Sequence, residues 1–214
     1  MKTKIAAAAA ALLLVLSLPF IASAAEKTAT GMVRSFQDGL GGVMQHAKEL
    51  GLRGRYDALA PIIEKSFHLP VMISSASRPY WRAATDDQRE RLIAAFRRMS
   101  ISAVATLFDN YDGETFRVVR ERDVEGPTVL VDTQIVPRED DPVDITYVTA
   151  RIKDRWWIID VIVGGGISEI AVRRSEYLAL LKDGGPDRLI AALEGQADRL
   201  LAGAEKAVIG GGRP

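Results

Sequence analysis

The chain has 214 residues, with 28 lysines and arginines against 28 aspartates and glutamates, and no cysteine. A balance this even gives no general field for nucleic acid or an anionic membrane surface. The missing cysteine removes thiol catalysis, thiolate metal sites and disulfide bracing, so the fold must hold by its apolar core alone.

Lys2 and Lys4 precede a run of apolar and small residues from Ile5 to Ile21, interrupted only by Ser17 and Pro19. Ala22-Ser23-Ala24 then has the small-x-small pattern of a signal peptidase site. This predicts a secretory signal peptide over residues 1–24, cleaved before Ala25. The alternative is a retained single-span anchor, since the run is long enough to cross a bilayer. No cysteine follows the run, which excludes a lipoprotein anchor. No second long apolar run appears, and the expected mature protein is soluble. It has about 190 residues, enough for one domain with a substantial core. The expected domain covers 25–205, and 206–214 is expected to be a loose tail.

Val33, Phe36, Leu40, Val43, Ala47 and Leu50 recur at helical spacing, with Gly51 as the stop. Tyr56, Leu59, Ile63 and Phe67 continue the rule in a second helix, broken at Leu69-Pro70; one short helical turn is expected from Pro70 to Ala76. Thr85-Asp86-Asp87-Gln88 is a helix start with a capping box, followed by the stripe Leu92, Phe96, Met99, Ala103 and Leu107.

After Gly113 the period changes from helical to alternating. Phe116 and Val118 mark one strand. Val129, Val131, Thr133 and Ile135 mark a second. Val143, Ile145, Tyr147 and Thr149 mark a third, and Trp156 to Val163 a fourth. The short turns between them predict an antiparallel meander. The fourth run is almost wholly apolar, which predicts cover on both faces. Gly164-Gly165-Gly166 is a joint, and Ser168 caps a helix running to Lys182. Gly184-Gly185-Pro186 stops that helix and starts the last one, marked by Leu189, Leu193 and Leu200. Helices, then four strands, then helices is an α+β order, with helices covering one face of the sheet.

Signatures of catalysis are absent: there is no G-x-S-x-G, P-loop or H-E-x-x-H. His46 and His68 lie on different predicted helices with no carboxylate at metal-ligand spacing and read as surface or satisfied histidines. Asp160 stands alone in the most apolar strand. It reads as a structural acid bonded to backbone or to an arginine such as Arg151, with a buried acid of shifted pKa as the alternative. The glycine run is not a dinucleotide fingerprint; it is a joint, or else an anion seat at a helix start. Arg78-Pro79-Tyr80-Trp81-Arg82 is either an interfacial lip or an aromatic pair closing the core. The remaining signal is excess apolar surface. A sheet curling round the helix from Asp86 either fills with side chains or holds an apolar ligand.

Tyr80-Trp81-Arg82, Ala84-Thr85-x-x-Gln88-Arg89 with Phe96, Trp156-x-Ile158-x-Asp160-Val161, Gly166-Ile167-Ser168, Arg174-Ser175 and Gly184-Gly185 together resemble the toluene-tolerance/MlaC family of periplasmic lipid-binding proteins. Gly165 to Glu169 and Ala171 to Tyr177 look closest to its hopanoid-associated HpnM branch. Two departures stand out. Pro79 replaces a continuing helix, and the glycine joint is one residue longer than in the phospholipid carriers.

The resemblance implies a curved antiparallel sheet and helices enclosing an apolar cavity for acyl chains, with the head group at the mouth. It implies a non-catalytic periplasmic carrier with no cofactor besides its bound lipid, a phospholipid or a hopanoid. The implied partners are an inner-membrane ABC transporter with an MCE-domain subunit and an outer-membrane lipoprotein complex, and no nucleic acid. The expected lining is Phe96, Ala103, Leu107, Val131, Ile135, Tyr147, Ile159, Val161 and Val163, with Tyr80, Trp81 and Arg174 at the mouth. The rival expectations are an envelope scaffold or adaptor with a packed core and an enzyme using Asp160.

Overall fold

Thr28 opens the first helix by accepting the Gly31 amide at 3.0 Å, which satisfies one of the donors a helix start leaves free. The structure, a computed structural model, describes residues 27–124 and 126–203. The expected signal peptide and tail lie outside the described residues. Helix α1 (Ala29–Gln45) buries Met32, Val33, Phe36, Leu40 and Val43. The predicted helix does not run on to a stop at Gly51. It breaks at His46, and α2 (Ala47–Ser66) follows with Gly51 as a kink inside it, at φ 59° and ψ −179°. Glycine adopts that conformation without a Cβ clash, so the chain bends and resumes helix.

Helix α3 (Leu69–Ala76) is a full element rather than a single turn, capped by the His68 ring, whose Nδ1 accepts the Val71 amide at 3.3 Å. After the short α4 (Tyr80–Ala83), α5 (Asp86–Leu107) begins with the predicted capping box. Thr85 Oγ1 accepts the Gln88 amide at 3.2 Å, and Gln88 Oε1 accepts the Thr85 amide at 3.1 Å.

Strands β1 (Thr115–Asp123), β2 (Thr128–Val136), β3 (Val143–Ile152) and β4 (Arg155–Val163) form one antiparallel sheet in chain order. Helix α6 (Glu169–Leu201) closes the chain. It departs from helical geometry at Gly184 and Gly185, where the sequence placed a stop and a restart. The fold is α+β, a curved four-stranded sheet flanked by helices.

Two features of β4 differ from strict alternation. Val148 pairs with Asp160 but Thr149 pairs with Ile158, so Ile159 is an extra residue, a β-bulge. The bulge gives the inward positions to Ile158, Val161 and Val163, opposite Thr149, Tyr147 and Ile145. The strand is also not covered on both faces. Only Ile158 is fully buried, and Trp157 lies between the Arg155 guanidinium, 4.1 Å from its ring centroid, and the His68 ring at 5.2 Å. Aromatic and cationic neighbours shelter it in place of a second layer. The outer face of the sheet is polar: Asp132 accepts from Arg120 Nε at 2.7 Å, from Arg122 Nε and Nη2 at 2.8 Å, and from Thr146 Oγ1 at 2.7 Å.

Candidate functional site

The inner face of the sheet and the helices do not close completely on one another. Between them lies a cavity of about 580 Å³, inside the range usual for small-molecule sites. Helix α1 contributes Phe36, Leu40 and Met44. The next two helices and their junction contribute Ile63, Phe67, Leu69 and Met72. Helix α5 contributes Phe96, Ala103, Val104 and Leu107, and the sheet adds Ile135, Val143, Ile145, Tyr147, Val161 and Val163. Phe36 is the hinge of this wall, meeting Phe67 edge-on at 4.9 Å and Tyr147 at 5.9 Å.

Ser100 of α5 adds a hydroxyl to the wall, and the charged and amide side chains come from two segments. Asp109, Asn110, Asp112 and Glu114 come from the connection between α5 and β1, while Glu169 and Arg173 come from the first turns of α6. Leu107, Val143 and Val163 line the cavity and are still 46%, 41% and 40% exposed, so the opening has an apolar lip beside its charges. Burial pushes the Tyr147 phenol up to about 12, and the wall is uncharged there at neutral pH. An interior this apolar can desolvate a hydrocarbon chain.

The structure brings Phe96, Ala103, Leu107, Ile135, Tyr147, Val161 and Val163 together around the cavity. Val131 is fully buried opposite Tyr147 but is not part of the wall. Ile159 is displaced by the bulge it forms. The three residues expected at the mouth are elsewhere. Tyr80 and Trp81 pack against the core from α4. Arg89 lies 5.9 Å from the Trp81 ring centroid and donates to the carbonyl of Trp81 and that of Arg82, each at 3.2 Å. Arg174 donates to the Ser75 carbonyl at 3.1 Å, tying α6 to α3. Helical rotation explains this: adjacent residues point about 100° apart, and Arg173, one position earlier, is the arginine that reaches the cavity.

Asp160 has a structural set of partners, though not Arg151, which pairs with Asp154 at 3.3 Å. Its carboxylate accepts the Val161 amide at 2.8 Å, the Ile170 amide at 3.1 Å and the Ser168 hydroxyl. Ser168 in turn accepts the Ala171 amide at 2.9 Å. The free donors at the start of α6 thus meet the chain's own side chains, which take the place an external anion would occupy. His46 is exposed beside Glu49. Among the described residues there is no cluster of side chains arranged to hold a metal ion.

The sequence reading missed the part of the wall that comes from the first three helices. The stripe of α1 was visible, but spacing alone does not distinguish a face turned to a void from one turned to other side chains.

A family model described as MlaC protein matches residues 36–195, well over half of the chain, and the chain belongs to that family. A solved structure of a phospholipid-binding protein from Ralstonia solanacearum, in complex with a phospholipid, is similar with a TM-score of 0.72 at 17% sequence identity. The match covers 80% of this chain and 98% of that one and establishes a shared fold.

Proposed function

Starting from that membership, we propose that the protein is a periplasmic lipid carrier that shields acyl chains while lipid passes between the inner and outer membranes. The observation that carries this reading is the apolar cavity of about 580 Å³ between sheet and helices. Each CH2 withdrawn from water is stabilised by about 0.8 kcal/mol, so a continuous apolar interior binds a lipid tail without catalytic groups. The site comprises the seven expected residues that border the cavity together with Phe36, Phe67 and Met72 from the helices before the sheet.

A phospholipid is the favoured cargo, supported by the phospholipid in the Ralstonia protein of the same fold. A hopanoid is the second candidate, supported by the likeness of residues 165–177 to the HpnM branch. Residues 1–24 act as a cleaved signal peptide, and residues 25–205 form one lipid-binding domain. By family resemblance its partners are an ABC transporter with an MCE-domain subunit in the inner membrane and a lipoprotein complex in the outer. Among the described residues no helix is long and apolar enough to cross a membrane.

Native mass spectrometry of gently purified protein tests the reading. A lipid-sized mass increment, identified by extraction and lipid analysis, is the expected result. Protein that arrives empty and takes up no lipid from vesicles overturns it.

A further inference from the structure

We infer that Arg173 holds the phosphate of a zwitterionic phospholipid at the cavity wall, an inference that rests on the carrier reading above. Among the described residues that border the cavity, Arg173 is the one cation. Its side chain is only 18% exposed. A guanidinium presents five donors, and the protein offers these few acceptors. Nη1 meets the Met99 sulfur at 3.8 Å, a weak acceptor, and Nη2 forms a long ion pair with Glu169 Oε2 at 3.9 Å, beyond hydrogen-bond length. One helical turn on, Tyr177 is 4% exposed and feels Arg173 both as a charge and as a donor, yet no pair of ordinary hydrogen-bond geometry completes its hydroxyl.

A largely buried cation whose donors meet only a sulfur, a distant carboxylate and a poorly placed hydroxyl is costly unless something completes it. The cavity is the side from which an acceptor can arrive, and a phosphodiester matches the planar fork of an arginine. The sign of the remaining charges narrows the cargo. Asp109, Asp112, Glu114 and Glu169 also border the cavity. They resist a head group with surplus negative charge and favour one whose ammonium offsets its phosphate.

Titration of the purified protein with fluorescent-acyl analogues of phosphatidylethanolamine, phosphatidylglycerol and diacylglycerol, carrying the same chains, tests this. The wild-type protein is expected to bind the phosphatidylethanolamine analogue most tightly. Arg173→Gln is expected to weaken that binding by about tenfold, the scale of one charge-assisted hydrogen bond, and to leave the diacylglycerol analogue unaffected. Arg173→Lys is expected to recover part of the loss. Equal wild-type affinity for phosphatidylethanolamine and diacylglycerol overturns the inference, as does an Arg173→Gln protein that binds all three like wild type. Equal affinity for phosphatidylglycerol overturns the zwitterionic assignment. The wild-type comparison needs no variant, so it decides the matter even if a substitution prevents folding. Binding of none of the three removes the carrier reading itself, a result distinct from binding without head-group preference.

Discussion

His68 shows how one side chain serves two elements. Its ring caps α3 through Nδ1 and lies against Trp157 of β4. Burial, with a smaller push from the Lys153 charge, holds its pKa below the ordinary 6.5 and outweighs the opposing effect of its backbone hydrogen bond. The unfolded chain therefore takes up this proton first. Stability falls as pH drops below about 6.5 and levels once the folded ring is protonated. Thermal melts of wild type and His68→Asn are expected to diverge across that window, since asparagine keeps a cap acceptor and does not titrate. Asp132 acts in a separate, more acidic window. The Arg122 guanidinium, helped by Arg120 and Thr146, holds its carboxyl well below the usual carboxylate range. The stability this lends is present above about pH 4 and drains away below it. Asp160 was legible as a structural acid bonded to backbone, but not which backbone. Two of its partners, the Ile170 amide and the Ser168 hydroxyl, come from the far side of a glycine joint whose path no spacing rule describes. Asp160→Ala leaves the Val161 and Ile170 amides and the Ser168 hydroxyl without that acceptor. The expected cost is about 2–4 kcal/mol of unfolding free energy by denaturant titration.

At the level of elements, local chemistry was the readable part. The capping box of α5, the change to alternation at β1 and the interruption at Gly184–Gly185 all follow from short-range rules. What escaped was set by register. The bulge at Ile159 re-aims half of β4, and nothing in Trp-Trp-Ile-Ile-Asp-Val-Ile-Val announces which residue is extra. The joint after β4 depends on Gly164 and Gly165, at φ 64° and 65°, where a Cβ is strained. Gly165→Ala is expected to lower stability by about 1–2 kcal/mol. Gly166→Ala, outside that conformation and near only the Val163 carbonyl at 3.4 Å, is expected to lower it by less. Chemical denaturation of the two variants, side by side, checks the difference.

For the whole molecule, the order of elements predicted the α+β architecture, but whether its apolar surplus filled or enclosed space was not written in composition. The enclosing surfaces come from residues distant in sequence, Phe36, Phe67 and Tyr147 among them, whose meeting is a tertiary fact. The void gives a test at this scale. Val161 faces it from β4. Val161→Trp is expected to keep a cooperative melt within a few degrees of wild type and to abolish lipid uptake from vesicles, because the indole occupies free volume. A filled interior would instead lose about 1–3 kcal/mol to overpacking. One further property follows from the meander. Strand order in the sheet is chain order, so every strand finds its partner across a short connection and none waits on a remote segment. The sheet is thus the part able to assemble early, and the helices from both termini must arrive to roof it. Pulsed hydrogen exchange during refolding should protect β2 and β3 amides before those of α1. Protection in that order would mean that the apolar inner face of the sheet meets water before its helical cover arrives.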